Sequence, residues 1–327
     1  MIYKKKLSVL SGIIAALALI YILTIIFDPE RRGARSAAYS WLDPAETGKI
    51  SGITISSDGE VINLARNGGK WFVSRDGKDY PAKTARVEDF IAALAKRAPY
   101  PLRSSSASSH ERFSLTENQA VRVTVAAGAG LPLLNLLIGQ SDLTGQNVYL
   151  RKQGQNEIRS GEDIFSAYTK AEITSWYNLR LFPESEGGKL DASYVQRLTV
   201  YPPSAGEGGE THPLILTRKG KEWTFNFELA HPDIKRVDNY VRDIINTSGD
   251  DFVTSVASSD SMFNNSRIAL ELGNGSTITV RLGPPDEDGK CYAAVSGSDW
   301  VYSIPGWVIQ RLFPGVESFE IDSGNEE

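Results

Sequence analysis

The sequence predicts an α+β chain: two tandem repeats of an antiparallel sheet with one packed amphipathic helix, preceded by a single transmembrane helix. Three observations carry this. Leu7 to Phe27 forms 21 residues without a charge, long enough at about 1.5 Å of rise per residue to cross a hydrocarbon core of roughly 30 Å. Motifs recur in the same order along the remainder of the chain. Each recurrence reads as short β-rich runs broken by turn residues around one helical stripe, without the β-α-β alternation of a parallel sheet.

The elements follow in chain order. Residues 1–6 are a cytoplasmic tail carrying Lys4, Lys5 and Lys6, and residues 7–27 are the anchor. Asp28-Pro29-Glu30-Arg31-Arg32 follows it. The short basic tail orients the N-terminus inside. The apolar core exceeds the 7–15 residues usual for a cleaved signal peptide, so the anchor is read as uncleaved. No cysteine follows it to carry a lipoprotein anchor. The expected location is therefore the cytoplasmic (inner) membrane, single-pass, with the bulk of the chain periplasmic or otherwise extracytoplasmic. Residues 28–47 read as a juxtamembrane linker whose Trp41 packs on the first repeat.

Leu64-Ala65-Arg66 followed by Trp71 recurs 152 residues later as Leu216-Thr217-Arg218 followed by Trp223. Arg86-Val87-Glu88-Asp89-Phe90-Ile91 recurs 150 later as Arg236-Val237-Asp238-Asn239-Tyr240-Val241. Ile138-Gly139 matches Leu282-Gly283 at 144, and Trp176-x3-Arg180-Leu181-Phe182-Pro183 matches Trp307-x3-Arg311-Leu312-Phe313-Pro314 at 131. Two copies of one module explain the kept order and shrinking offset: repeat 1 over 48–183, a linker over 184–194, repeat 2 over 195–319 and an acidic tail over 320–327. Trp71, Trp223, Val87 and Val237 are the structural anchors of the repeat.

Within repeat 1, strands are expected over 50–55, 61–64, 71–73, 121–125, 133–138 and 148–151. In repeat 2 they fall over 195–201, 214–217, 223–227, 268–272, 277–282, 292–295 and 301–304. Val87, Phe90, Ile91 and Leu94 mark the helix of the first copy, and Ile234, Val237, Val241, Ile244 and Ile245 that of the second. Pro232 suits the first helical position, Asp233 complements the dipole and Gly249 a C-terminal stop.

Ile53-Thr54-Ile55, Trp71-Phe72-Val73, Arg86 to Leu94, Phe113-Ser114-Leu115, Leu137-Ile138-Gly139 and Val148-Tyr149-Leu150-Arg151 behind a membrane anchor form one pattern. It resembles the domain-of-unknown-function family 4340 (DUF4340), in two tandem copies. That family usually shows Tyr-Gly-Leu and a close proline where this chain has Phe113-Ser114-Leu115. The resemblance covers most of residues 48–314 and brings no catalytic residues. It implies a bacterial, membrane-anchored protein of the kind that accompanies gliding-motility-type ABC transporter components.

Composition excludes several function classes. Outside the first 27 residues, 32 bases face 40 acids, a poor balance for nucleic acid, which needs clustered Lys and Arg. The single cysteine, Cys291, makes no intrachain disulfide and no zinc cluster and reads as a buried small hydrophobe. His110, His212 and His231 are scattered without ligand spacing. His110 lies near Ser104 to Ser109 but no Gly-x-Ser-x-Gly elbow accompanies it, so the serines read as a polar loop. Gly128-Ala129-Gly130 lacks the third glycine of a dinucleotide fingerprint and reads as a hairpin turn. Asp286-Glu287-Asp288-Gly289 is half of a calcium loop and reads as an acidic turn. The Asn-x-Ser/Thr triplets at Asn246, Asn264 and Asn274 matter only in a secretory eukaryotic context, which nothing else supports. No metal, cofactor or catalytic set is expected.

The expected function is thus a non-catalytic, membrane-anchored extracytoplasmic scaffold or accessory protein with protein partners in the envelope, of an ABC-type transport or gliding-motility-type complex. Trp176, Arg180, Trp307 and Arg311 are the candidate partner-docking residues. The alternative is a ligand-binding module for a glycan, peptide or lipid fragment in the groove between the repeats.

Overall fold

A computed structural model describes residues 38–182, 190–203 and 212–321, apart from Asp58, Lys221 and Asn265. The expected anchor at 7–27 lies outside them, and among the described residues no helix is long and apolar enough to cross a membrane. The chain divides into two compact units, Met1–Tyr177 and Asn178–Glu327.

Unit 1 runs β1 (Ala38–Tyr39), β2 (Ile50–Ser57), β3 (Glu60–Asn67), β4 (Lys70–Arg75), β5 (Lys78–Pro81), α1 (Thr84–Ala95), β6 (Ala98–Pro99), β7 (Leu102–Ser104), β8 (Val121–Ala127), β9 (Pro132–Ser141), β10 (Asn147–Lys152), β11 (Ile158–Glu162) and the single turn α2 (Ser166–Thr169). Nine strands form one sheet in the order β5-β4-β3-β2-β8-β9-β10-β11-β7, and β1 pairs with β6 apart from it. Every pairing is antiparallel. Strand alternation is visible in burial: Ile53 and Ile55, Ile62 and Leu64, Trp71 and Val73, Val123 and Val125 are all buried.

Unit 2 runs β12 (Val195–Tyr201), β13 (Leu214–Lys219), β14 (Glu222–Phe225), α3 (Ile234–Ile245), β15 (Asp251–Val253), β16 (Ser266–Leu272), β17 (Thr277–Leu282), β18 (Cys291–Val295), β19 (Val301–Ile304) and α4 (Gly306–Leu312). Its eight-stranded sheet has the order β14-β13-β12-β16-β17-β18-β19-β15, which is the order of unit 1 without β5. The registers also agree. Each first strand carries a β-bulge near its start, between Ile50 and Gly52 in β2 and between Val195 and Arg197 in β12.

The helix of each unit buries the expected stripe: Val87, Phe90, Ile91 and Leu94 on α1, and Val237, Val241, Ile244 and Ile245 on α3. Each fully buried side chain of this size contributes about 1.5–3 kcal/mol relative to exposure. Tyr240 joins the stripe of α3, and Ile234 is only half-buried. The start of α3 differs from expectation by two residues. Asp233 is the N-cap, accepting from the amides of Lys235 and Arg236 at 2.9 and 3.1 Å, so Pro232 precedes the cap. Gly249 lies beyond the helix end at Ile245; a Cβ there would meet the Ser303 carbonyl oxygen at 2.6 Å, and that close approach is what requires glycine.

The loop before β8 covers a small apolar cluster of Leu115, Leu137 and Ile158. Phe263, Ala294 and Val301 form the matching cluster of unit 2. The linker expected over 28–47 ends earlier than predicted. Trp41 and Leu42 are buried, the Leu42 amide donates to the Leu94 carbonyl at 3.0 Å, and Trp41 meets Tyr39 and Tyr100 edge-on. At the other boundary, residues 178–182, expected to close repeat 1, belong to unit 2, where the Leu181 amide donates to the Thr247 carbonyl.

Candidate functional site

The tryptophans that follow the β3–β4 and β13–β14 turns are tied to the helices by a shared device. The Trp71 indole N–H donates to Glu88 Oε1 at 3.0 Å, and that of Trp223 to Asp238 Oδ1 at 2.8 Å. A guanidinium covers each ring: Arg66 at 5.9 Å from the Trp71 centroid, Arg218 at 4.4 Å from that of Trp223. Arg218 also meets Asp238 at 3.4 Å. Buried indoles with a satisfied N–H are packing anchors, as are the buried Val87 and Val237.

The segment that closes each unit departs from the sequence alignment. Trp176 is 0% exposed and packs edge-on against Phe90 at 5.9 Å, with the Arg86 guanidinium 4.9 Å from its centroid. Its carbonyl accepts from the amide of Lys83, the residue before α1, at 2.8 Å. In unit 2 that place is taken by Phe319, not Trp307. Phe319 packs edge-on against Tyr240, and its carbonyl accepts from the amide of Asp233, the residue before α3, at 2.8 Å. The structural offset is 143, and the shared Leu-Phe-Pro had drawn the alignment to 131.

Trp176 therefore offers no surface, while Trp307 does. It stands on α4, 62% exposed, with the Arg311 guanidinium 5.0 Å from its centroid. Val316 at 45% and Ile321 at 56% are exposed on the same C-terminal stretch. Arg180 is half-buried and forms an isolated bridge with Ser248. Within unit 2, α4 is held by the Tyr240 hydroxyl, which donates to the Leu312 carbonyl at 2.7 Å; burial pushes the Tyr240 pKa upward.

Sequence reasoning missed a pair of grooves, one inside each unit. In unit 1 a groove of about 360 Å³ lies between the β2–β3 hairpin and the turn after α2, lined by Ile55, Ser57, Glu60, Ile62, Lys170 and Glu172 among others. In unit 2 a cavity of about 460 Å³ is lined at the corresponding positions by Val200, Pro202, His212, Leu214, Phe313 and Gly315, with Phe227, Pro314 and Val316 added. The first presents charge, the second an apolar wall. The two units share the strand frame around these grooves, and the side chains that line them differ.

The remaining candidates are local structure. Ser104 and Ser109 hydrogen-bond to each other at 2.9 Å, and Ser106 to Ser108 at 2.8 Å. Asp286 accepts the amides of Asp288 and Lys290 at 3.0 and 2.8 Å, which closes the acidic turn on itself. Asp142 does the same with Thr144 and Asn147; hydrogen bonds from the Asn147 and Thr144 side chains, in that order, hold its carboxyl down at about 2. Cys291 is buried in β18, and burial, reinforced by Asp286, raises its thiol pKa. Among the described residues no group of three or more His, Cys, Asp or Glu is placed to hold a metal.

A family model described as Domain of unknown function (DUF4340) matches residues 71–265. It is one continuous stretch that starts in β4 of unit 1 and ends just before β16 of unit 2. No curated protein and no solved structure matches the chain.

Proposed function

The chain belongs to the DUF4340 family, and from that premise we propose that it is a non-catalytic accessory protein of the bacterial envelope that docks membrane protein partners, those of an ABC-type transport or gliding-motility-type complex. Residues 7–27 anchor it in the inner membrane with the N-terminus inside, and units 1 and 2 are two copies of one module on the extracytoplasmic side. The observation that carries this reading is the exposed Trp307 under Arg311, on a stretch that also exposes Val316 and Ile321. Tryptophan and arginine are both enriched at interface hot spots, and exposed large apolar side chains along one stretch support an interaction surface.

The test is crosslinking of the full-length protein in its membrane, mild solubilisation and identification of co-purifying chains. Transporter subunits at stoichiometric yield, lost in Trp307→Ser, support the reading. Recovery of the protein alone overturns it.

The apolar cavity of unit 2 favours a second reading, a ligand-binding module. Its volume falls in the range of small-molecule sites and its walls are mostly apolar. Phe313→Lys places there the residue that unit 1 already carries as Lys170, so it should abolish binding of an apolar fluorescent probe while the fold stands. Unchanged probe binding sinks this reading.

A further inference from the structure

The two sheets end differently at one edge. In unit 1, β4 is covered by β5 in antiparallel register, with Phe72 opposite Pro81, Val73 opposite Tyr80 and Arg75 opposite Lys78. The Ala82 amide extends the pairing by donating to the Trp71 carbonyl at 2.9 Å. In unit 2, among the described residues no strand pairs with the outer edge of β14.

The sequence explains why the edge stays open. Asn226 turns the chain away from a further strand: its side-chain oxygen accepts from the Ile215 amide at 2.8 Å and its nitrogen donates to the Pro213 carbonyl at 2.8 Å. Pro232 stands where unit 1 has Ala82, just before the helix cap, and has no N–H to give to the Trp223 carbonyl. In the β13–β14 hairpin Lys219 faces Glu222 across a two-residue turn. The alternation of bonded and non-bonded pairs then directs the backbone groups of Trp223 and Phe225 away from β13, as the outward Trp71 carbonyl shows for the same hairpin in unit 1. One side chain registers the gap. Val73 is fully buried beside Tyr80, whereas Phe225, its counterpart, is half-buried and touches Phe227 at 5.3 Å.

We propose that the outer edge of β14 accepts an extended segment of a partner protein, antiparallel to β14, with an aromatic side chain opposite Phe225. Strand β5 states the chemistry of the occupant, because it fills the same seat in unit 1 with Tyr80 buried in that position. β14 is short and Glu222 guards its start, but from Trp223 to Phe225 the edge carries no proline and no charged side chain. Main-chain bonds supply affinity in such strand addition, and the pocket for alternate side chains supplies selectivity. This deepens the docking reading by naming a second contact, and rests on that reading only in taking the occupant to be a protein.

The test uses the full-length chain in nanodiscs and a synthetic peptide of this protein's own residues 76–84, which contain β5. Amide hydrogen exchange is followed in β14 and β4. In the free protein, the Trp223 and Phe225 amides should exchange at least tenfold faster than that of Val73, which β5 covers. Excess peptide should slow them at least tenfold, and a peptide with Tyr80→Ser should lose most of that effect. Three results would overturn the proposal: β14 amides already as slow as those of β4, no protection by the peptide, or protection that rises with protein concentration alone as the particle mass doubles, which assigns the edge to a second copy. Because the crosslinking result above reads transporter subunits directly, docking through Trp307 can stand while the strand edge fails, and the reverse.

Discussion

Unit 1 and unit 2 clamp their covering loops with one arginine each, but from opposite members of the same cross-strand pair. In unit 1, Arg151 on β10 faces Leu137 on β9 and donates to the Leu115 and Gln155 carbonyls at 2.7 and 2.9 Å. In unit 2, Ala294 on β18 faces Arg281 on β17, and Arg281 donates to the Ser258 carbonyl at 2.8 Å. The cation has crossed the ladder while its task stayed. The requirement is a donor under the loop, not a residue at a position, and the same frame accepts either solution. Arg151 is the more enclosed of the two: it is buried where Arg281 is half-buried, and desolvation lowers its pKa against the opposing pull of Glu117.

That asymmetry can be broken most forcefully at the matched glycines. A Cβ on Gly139 would meet the Phe113 backbone oxygen at 2.2 Å, whereas on Gly283 it meets the flexible end of Met262 at 2.9 Å. Gly139→Ala should destabilise unit 1 by about 3 kcal/mol, and Gly283→Ala unit 2 by less than about 1 kcal/mol, since Met262 can swing aside. Hydrogen exchange read separately in β9 and β17 would show it, and equal losses would refute the loop argument. Arg151→Ala should cost about 2–4 kcal/mol because it strands two carbonyls, against about 1 kcal/mol for Arg281→Ala, which strands one. Thermal unfolding of the two variants checks the ranking. Trp307→Ser should shift stability by no more than about 0.5 kcal/mol, as an exposed position does, while Phe319→Ala loses about 3–5 kcal/mol of packing.

The smallest effect is the pH response of the β9–β10 turn. The Asp142 pKa is depressed from 3.8 to about 2 in the fold, so its contribution is present above pH 3.8 and is lost as pH falls through 2. Amide protection at Thr144 and Asn147 should fall over that window and lose its pH dependence in Asp142→Asn.

What the sequence disclosed was whatever repeated under a strong physical constraint. The helix stripes and the Trp71 and Trp223 anchors were legible because burial enforces them. β11 was not, since Ile158-Arg159-Ser160-Gly161-Glu162 holds one large apolar residue; Gly161 is there because the Tyr100 ring lies 2.4 Å from where a Cβ would be. The Trp176–Trp307 pairing failed for the opposite reason, as an identical tripeptide outweighed a Trp-to-Phe exchange that the core tolerates. The grooves and the open edge of β14 were invisible, because they arise where side chains from distant strands meet or where a strand is missing.

Cys291 gives the two-unit organisation a practical handle. The only thiol of the chain is enclosed in β18, third from the β15 edge of the second sheet, with its ionisation suppressed by burial. A maleimide or disulfide reagent can therefore modify it only during those intervals when unit 2 opens. The labelling half-life of the unaltered protein becomes a clock for the breathing of unit 2, and ligands or peptides that seat on unit 2 should slow that clock without any engineered probe.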